Sequence, residues 1–323
     1  MKHLKIFLLL GMILIFCGCS SPKKEPLKKS GFYFDTVIEI TLYDKKKISL
    51  MDECFSFCEK FEKQVSRTIP TSEISQINTS KGHPVKVSDS TIELLKQGIY
   101  YSELSNGAFD ITIAPLSMLW DFKNNTGDLP QKQDVLEALS HVNYKNIHID
   151  GNMVTLSNPL SAIDLGAIAK GYMADYLKQY LVENGVTSAL INLGGNILTI
   201  GNKPNGAPFQ IGIQKPFDQK NVPITSVQAT DLSVVTSGSY ERYFKIDDTI
   251  YHHILDTSNG YPCNTGLLSV TILSDSSMVG DALSTTCFTL GLEEGKRLIS
   301  SLENVDAIFV TDTYEIYDTR TNQ

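Results

Sequence analysis

Apolar and polar positions follow two different periods along the chain. Residues 34–44 alternate between apolar and polar, which is typical of a half-buried strand. Residues 49–65 instead carry a helical pattern of apolar positions. Segments of both kinds recur to the end of the chain without a fixed repeat. The pattern predicts an α+β fold, a single domain with a mixed, largely antiparallel sheet and packed helices.

Several helices are marked by signals at their ends. In the segment 90–107, Ser90 and Glu93 have the spacing of a capping box, and an Asn-Gly pair closes it. A second helix is predicted from about Gly166 to Gly185. Residues 280–291 predict a third, followed by a further helical stretch and two last strands.

Short strands are predicted in the second half of the chain. Residues 186–201 predict two strands around a Gly-Gly turn. Further strand-like segments lie at residues 208–214, 224–229, 243–254 and 267–273.

The N-terminus predicts export and lipidation. A basic start and a short apolar run, residues 6–16, are typical of a secretory signal, and the run is shorter than a membrane span needs. The run ends in Gly18-Cys19, which resembles a bacterial lipobox and makes Cys19 the candidate lipidated residue. The alternative is a cleaved peptide without lipid. We expect a signal peptide over 1–18, a lipidated tether over 19–30 and a folded domain over 31–323, outside the cytoplasm on the bacterial cell membrane.

Composition narrows the function classes. The chain has 42% hydrophobic and 20% charged residues, as soluble domains do, and its net charge of −8 disfavours nucleic acid as a partner. The internal cysteines Cys54, Cys58, Cys263 and Cys287 show no zinc pattern, and we interpret most of them as small buried hydrophobic residues.

Asp281 and Thr285 form the first candidate site. They are four residues apart in a predicted helix and therefore share one face. A carboxylate and a hydroxyl are oxygen ligands of the kind that Mg²⁺ prefers. A solvated helix face is the alternative.

The segment YHHILDTSNGYP, residues 251–262, holds the second candidate site. In a strand, His252 and His253 would point to opposite faces, and either could be a general base or a phosphate contact. A histidine packed in the core is the alternative. The residues that follow have the composition of a turn.

An anion site is predicted within IDLGAIAKGYMAD, residues 163–175. The start of its helix carries free N–H groups, and Lys170 adds a positive charge. The order of residues is not that of a Walker A loop, which disfavours a nucleoside triphosphatase. The segment 236–244 offers hydroxyls and a glycine in a predicted turn. Ordinary turn chemistry is the alternative for both.

Taken together, these segments resemble the FAD:protein FMN transferase (ApbE) family over essentially the whole mature domain. The motifs occur in the family's order: FDT, SEISQIN, GAFDITIAPL with Trp120, IDLGAIAKGYMAD, INLGGNI, TSGSYER, HILDTSNGYP and GDALSTT. The resemblance implies that residues 31–323 form an FAD-binding flavin transferase domain. Such an enzyme binds FAD and Mg²⁺, cleaves the FAD pyrophosphate and attaches FMN to a threonine of a target protein, releasing AMP. The resemblance also implies that the target belongs to membrane redox machinery.

Site residues also follow from the resemblance. It makes His253 the candidate catalytic base. The matching metal ligands are Ala167 through its carbonyl, Asp281 and Thr285. The matching FAD contacts are Phe34, Ala108, Phe109, Asp110, Asp164, Lys170 and Ile254, with phenylalanine at 34 where many relatives carry methionine.

Two other functions stay open at this point. An FAD pyrophosphatase would use water in place of threonine with nearly the same residues. A non-catalytic flavin-binding lipoprotein would need neither His253 nor the metal pair.

Overall fold

An eight-stranded sheet lies at the centre of the part of the chain that the structure describes. The computed structural model describes residues 25–44, 47–125, 127–219 and 222–322. The predicted signal peptide and Cys19 lie outside these residues. The strands are β1 (Leu27–Tyr33), β2 (Thr36–Leu42), β3 (Val85–Lys86), β4 (Ile147–Asp150), β5 (Met153–Leu156), β6 (Ala189–Leu193), β7 (Asn196–Ile200), β8 (Phe209–Gln214), β9 (Pro223–Ala229), β10 (Ser233–Gly238), β11 (Tyr243–Ile246), β12 (Thr249–His252), β13 (Leu267–Ser274), β14 (Val305–Thr311) and β15 (Ile316–Asp318). The helices are α1 (Ile48–Val65), α2 (Glu73–Thr79), α3 (Asp89–Leu104), α4 (Ala114–Trp120), α5 (Lys132–Leu139), α6 (Ala169–Glu183) and α7 (Ser277–Ser300).

The central sheet has the strand order β1-β2-β6-β7-β10-β13-β14-β15. Neighbouring strands in it all run antiparallel. Smaller antiparallel groups surround it, namely β3-β5-β4, β8-β9 and β11-β12. Among the described residues, parallel pairing is confined to one isolated bridge between Ile113 and Ala162. The predicted α+β fold with a largely antiparallel sheet is confirmed.

Helices α6 and α7 cover the sheet and pack against each other. Helix α7 lies on β10 and β13, and α1 contacts both β1 and α6. The main core lies between these layers. A second apolar cluster lies beneath the β8–β9 hairpin, and a third surrounds Trp120.

Several predicted boundaries are wrong. The lipidated tether was expected to reach residue 30, but β1 begins at Leu27 and pairs with β2. Helix α3 begins at Asp89, so Ser90 lies inside it and Ser88 occupies the N-cap position without a side-chain cap. Helix α6 begins at Ala169 rather than Gly166, because a turn over residues 166–168 precedes it.

Two segments differ in kind from the prediction. The expected strand 243–254 is the hairpin β11–β12, and His253 follows its end. Residues 236–238 complete the central strand β10, so the turn begins only after Gly238. The two predicted C-terminal helical stretches are confirmed as the two parts of α7, which meet at Gly291, where a φ of 80° breaks the helix.

The four internal cysteines are buried and unpaired, as interpreted from the sequence. Cys54 and Cys58 lie four residues apart on α1, and burial raises the pKa of each thiol to about 12. Such thiols stay protonated near neutral pH and act as packing groups. None of the helices in the described ranges combines the length and the apolar sequence that crossing a membrane requires.

Candidate active site

Helices α6 and α7 cross at Gly171. A Cβ at this position would lie 2.3 Å from the carbonyl oxygen of Ser277 and 2.6 Å from the Cα of Met278, so only glycine fits. Four residues later, Asp175 accepts hydrogen bonds from the backbone N–H groups of Ser277 at 2.7 Å and Met278 at 2.9 Å. A carboxylate at this position satisfies free N–H groups at the start of α7. The glycine and aspartate of the KGYMAD sequence therefore fix one helix against the other.

This crossing buries Asp281 beside the start of α6. The Asp281 residue is 3% exposed, and its Oδ2 accepts a hydrogen bond of 3.0 Å from the Gly171 N–H. In a longer helix that N–H would bond to the Ala167 carbonyl, so the bond to Asp281 leaves the Ala167 oxygen available. Lys170 Nζ lies 3.4 Å from Oδ1 and 3.5 Å from Oδ2, and it also donates to the Gly166 carbonyl at 2.9 Å. The contacts of Lys170 with the carboxylate are long, and Oδ1 has no closer partner among the described residues.

Thr285 lies one helical turn beyond Asp281. Its hydroxyl contacts Ser237 Oγ at 3.0 Å, and Ser237 Oγ in turn contacts Ser284 Oγ at 2.8 Å. These contacts connect the end of β10 to α7 and orient the Thr285 hydroxyl.

The residues present fit a Mg²⁺ ion. The Asp281 carboxylate, the Thr285 hydroxyl and the Ala167 carbonyl are hard oxygen donors, and Mg²⁺ commonly takes few protein ligands and completes its shell with water and phosphate. Across the described ranges, no group of three or more His, Cys, Asp and Glu side chains could hold a metal. A donor set with one carboxylate is consistent with that finding.

The loop that precedes α6 is held by long-range hydrogen bonds. The Asn78 side chain donates to the Ile163 carbonyl at 2.8 Å and accepts from the Ile163 N–H at 2.7 Å. The Asp164 N–H donates to the Ile111 carbonyl at 2.8 Å. The SEISQIN and GAFDITIAPL segments therefore hold the loop that carries Asp164, Gly166 and Ala167.

Asp164 bonds within the protein with both carboxylate oxygens. Oδ1 accepts from the Gly166 N–H at 2.9 Å. Oδ2 accepts from Ser117 Oγ at 3.2 Å and forms an ion pair with Arg67 Nε at 2.8 Å. The predicted FAD contact at Asp164 is therefore surrounded by donors from its own chain.

The predicted contacts in the AFD sequence also face inward. The Phe109 ring is buried in the main core. Asp110 accepts hydrogen bonds from the Thr112 N–H at 2.7 Å, from Thr112 Oγ1 at 2.6 Å and from the Tyr144 N–H at 2.8 Å. Burial raises the pKa of Asp110, and these bonds act against that shift. A nucleotide would meet the backbone of this segment and Ala108, which is partly exposed.

The two adjacent histidines have different environments. His252 is buried, its Nε2 donates to the Cys263 carbonyl at 3.0 Å, and its Nδ1 accepts from the Ile254 N–H at 3.3 Å. Its ring also meets Phe288 edge-on, at 5.5 Å between centroids. Both ring nitrogens are occupied, so His252 is a packing residue.

His253 keeps one ring nitrogen free. Its Nδ1 contacts the Arg242 carbonyl at 3.3 Å, and a carbonyl only accepts, so this contact assigns the proton to Nδ1. Nε2 then carries a lone pair with no partner among the described residues. Burial, and next the positive charge of Arg242, lowers the pKa of His253 to about 3, although part of the residue stays exposed. The charge of Lys170 also acts to lower the pKa of His253.

Ile254 and Phe34 complete the predicted set. The Ile254 side chain is buried in the core, which leaves its backbone for contact with a ligand. Phe34 is partly exposed at the β1–β2 turn, where its φ of 54° lies in the left-handed region and its N–H donates to Glu62 at 2.7 Å. Its ring packs edge-on against Phe61, which stacks on Tyr172 of α6. This row of rings connects Phe34 to the helix that carries Lys170.

Three contributors were missed from the sequence, namely Arg67, Asp175 and Ser237. Asp175 closes the quoted motif, and its spacing from Gly171 could have indicated a helix contact. Ser237 lies in a quoted motif that was interpreted as a turn. No local pattern marks Arg67, because its partner Asp164 comes from a distant part of the chain.

The comparison with known proteins identifies the family. The ApbE family profile matches residues 34–309. The chain belongs to the ApbE family. It is 37% identical to an FAD:protein FMN transferase of Klebsiella pneumoniae over 290 residues, which cover 89% of this chain and 90% of that protein. It is 30% identical to one of Treponema pallidum, with 96% and 92% covered.

Solved ApbE structures share the fold. The ApbE protein of Thermotoga maritima superposes with a TM-score of 0.84 at 30% identity, covering 92% of this chain and 98% of that one. The flavin transferase ApbE of Vibrio cholerae gives a TM-score of 0.81 at 28% identity, with 91% and 97% covered. The family resemblance noted in the sequence is confirmed.

Proposed function

We propose that this ApbE-family chain is a Mg²⁺-dependent FAD:protein FMN transferase. It cleaves the pyrophosphate of FAD, joins the FMN phosphorus to a threonine hydroxyl of an acceptor protein, and releases AMP. The curated relatives carry this activity in their names. Two residues carry the proposal. Asp281 is a buried carboxylate whose Oδ1 has no close partner among the described residues, and His253 is a neutral histidine whose Nε2 is free there.

His253 acts on the proton of the incoming hydroxyl. A depressed pKa keeps the imidazole neutral near pH 7, so Nε2 can accept that proton as the threonine oxygen attacks phosphorus. The new bond joins the threonine oxygen to the FMN phosphorus, and the bond from that phosphorus to the AMP oxygen breaks. General-base assistance typically contributes about 10²- to 10⁴-fold.

The start of α6 faces the phosphates. Lys170, the second residue of α6, adds a positive charge, and helix N-termini favour anions. Asp281, Thr285 and Ala167 would hold Mg²⁺, which supplies neutralisation of phosphate charge when bound. Phosphoryl transfer depends mainly on such positioning and charge stabilisation.

A single assay separates the transferase from the two other functions. Purified mature chain is incubated with FAD and Mg²⁺, with and without an acceptor domain that carries a threonine. We expect AMP and covalent flavin only when the acceptor is present. AMP without acceptor would indicate a pyrophosphatase, and FAD binding without AMP a carrier. An acceptor domain whose threonine is replaced by valine is the matched control.

We also propose that Cys19 is lipidated and that the protein is attached to the bacterial cell membrane, facing away from the cytoplasm. The support is the apolar run followed by Gly18-Cys19. Its acceptor would then be a protein of membrane redox machinery. Fractionation of cells that express Cys19→Ser should move the protein out of the membrane fraction. Unchanged partition would contradict the anchor.

A further inference from the structure

We propose that Arg67 binds a phosphate group of FAD, and that its ion pair with Asp164 holds the guanidinium in place. This inference rests on the proposed function, because it assumes that FAD binds beside the start of α6. It assigns a ligand contact to a residue that the sequence motifs left without a role.

Asp164 is surrounded by groups of its own chain that hold it in place. Its carboxylate accepts two hydrogen bonds, from the Gly166 N–H and from Ser117 Oγ, and forms an ion pair with Arg67 Nε at 2.8 Å. Its negative charge would repel a phosphate. These contacts fit a residue that orders the loop and holds a cation in place.

Arg67 keeps hydrogen-bond donors that are free to bind a ligand. The guanidinium meets Asp164 through Nε, and neither terminal nitrogen has a hydrogen-bond or ion-pair partner within the described ranges. Those two nitrogens carry four N–H donors in one plane, the geometry that matches two oxygens of a phosphate. The Arg67 side chain is 30% exposed, so a ligand can reach it.

The backbone of Arg67 is also fixed. Ser75 Oγ donates to the Arg67 carbonyl at 2.9 Å, and Ser72 Oγ donates to the Ser66 carbonyl. The Ser72 hydroxyl also accepts from the Ser75 N–H at 2.9 Å. The serines of the SEIS sequence therefore hold the segment that presents the guanidinium.

Arg67 and Lys170 both contact the loop that precedes α6. Arg67 bonds Asp164, Asp164 bonds the Gly166 N–H, and the Gly166 carbonyl accepts from Lys170 Nζ at 2.9 Å. Two cations thus approach the turn at residues 164–168 in a protein whose net charge is −8. The pyrophosphate of FAD carries negative charge that both cations of this turn could meet.

The test compares ligands with and without phosphate. Dissociation constants for FAD and riboflavin are measured for the wild type, Arg67→Gln, Arg67→Lys and Lys63→Gln. Lys63 is the control cation, since it is exposed on α1 and paired with Glu59. We expect Arg67→Gln to weaken FAD binding about tenfold or more, as loss of a charge-assisted phosphate contact does. Riboflavin binding should stay near the wild-type value, and Arg67→Lys should fall between the two.

The salt dependence of FAD binding provides a second measurement. Arg67→Gln should show a shallower fall of affinity with salt than Lys63→Gln, because one ionic contact is missing. If FAD and riboflavin lose the same factor, or if FAD binding by Arg67→Gln stays near the wild-type value, the phosphate contact is wrong.

The two proposals fail in different ways. Wild-type protein that binds FAD but never forms AMP would overturn the transferase and leave the Arg67 result standing. Wild-type protein that binds no FAD would overturn both. A lower melting temperature for Arg67→Gln with equal loss of both ligands would indicate a purely structural role, and would overturn the phosphate contact.

Discussion

Asp110 and Asp281 are both buried carboxylates in family motifs, but they differ in what their neighbours leave free. Asp110 accepts three short hydrogen bonds, all from its own loop and the residues that cover it. Asp281 accepts one backbone N–H at 3.0 Å and faces Lys170 at longer distances. The first carboxylate completes a fold, whereas the second keeps capacity for a ligand. Both residues lie in family motifs, so the motif alone does not distinguish a structural carboxylate from a ligand-binding one. The hydrogen bonds distinguish them, because both oxygens of Asp110 accept short bonds and only one oxygen of Asp281 does.

The adjacent histidines repeat the same contrast. His252 uses both ring nitrogens inside the protein, and His253 uses only Nδ1. Asp281 and His253 each keep an atom without a close partner among the described residues, whereas Asp110 and His252 do not. Substituting residues of both kinds tests whether such an atom marks the residues that act on the substrate.

The largest effect is expected at His253. His253→Ala should lower flavin transfer by about 10²- to 10⁴-fold, because the general base is lost. FAD binding should change little, because the substitution removes no contact to a phosphate. His252→Ala should instead lower the melting temperature and retain activity per folded molecule. Covalent flavin on the acceptor, FAD affinity and melting temperature are measured for both. If His252→Ala abolishes transfer and His253→Ala does not, the histidines are assigned the wrong way round.

The next largest effect is expected at Asp281. Asp281→Asn should reduce Mg²⁺-dependent AMP release by on the order of 10²-fold, the scale of losing one electrostatic contact to a developing charge. Its melting temperature should change little, since the side chain keeps its size. Release of AMP is followed across a Mg²⁺ titration. Near-normal AMP release at low millimolar Mg²⁺ would contradict the metal site.

Asp110→Asn tests the saturated carboxylate. The amide nitrogen would face either the Tyr144 N–H or the two Thr112 donors, which leaves a buried donor unpaired. We expect a loss of about 1–3 kcal/mol in the free energy of unfolding. Activity per folded molecule should persist. Denaturant unfolding and AMP release are measured together, and a stable but inactive variant would place Asp110 in the chemistry.

A smaller effect is expected from Lys170→Gln on metal binding without FAD. The ammonium lies beside both Asp281 oxygens and opposes a second cation there. Two unit charges about 4 Å apart interact by about 1 kcal/mol even with water-like screening. The ion is divalent, so the repulsion is about 2 kcal/mol and Mg²⁺ should bind roughly 30-fold tighter to the variant. Calorimetry without nucleotide measures this, and Lys178→Gln on the same helix is a control. Weaker Mg²⁺ binding would mean that Lys170 supports the metal site.

The smallest change is expected in the pH dependence of transfer. The pKa of His253 is lowered to about 3, so the base stays neutral between pH 8 and pH 5 and the rate should show no step near 6.5. The folded-state pKa lies below the unfolded one, so the unfolded chain binds more protons below pH 6.5. Stability is therefore lost as pH falls from about 6.5 toward 3, and less so in His253→Gln. A rate that halves near pH 6.5 would contradict the lowered pKa.

Local patterns predicted much of the fold and part of the site. The alternation around Gly194-Gly195 correctly gave the β6–β7 hairpin, and helix spacing placed Asp281 and Thr285 on one helix. Strand alternation gave opposite surroundings for His252 and His253, although His253 follows the strand. These features depend on residues a few positions apart.

The missed features depend on distant or polar contacts. The last residues of β10, 236–238, were interpreted as part of a turn because of their hydroxyls and glycine. In the structure, Thr236 pairs with Thr271 at 2.8 Å across the sheet and Ser237 contacts α7. Asp175 caps α7 by accepting from the Ser277 N–H, which lies 102 residues later in the chain. A single sequence carries no local sign of such partners, so Arg67 and Asp175 had to come from the structure.

The crossing of α6 and α7 at Gly171 has a consequence for the assembly of the site. The bond from the Gly171 N–H to Asp281 joins residues 110 apart, and the one from Trp120 to the Gly260 carbonyl joins residues 140 apart. Closing loops of such length costs conformational entropy before the contacts repay it. A chain that ends before α7 lacks Asp281, Thr285 and the surface against which α6 packs. Binding of the proposed Mg²⁺ ion would therefore require that both helices are in place.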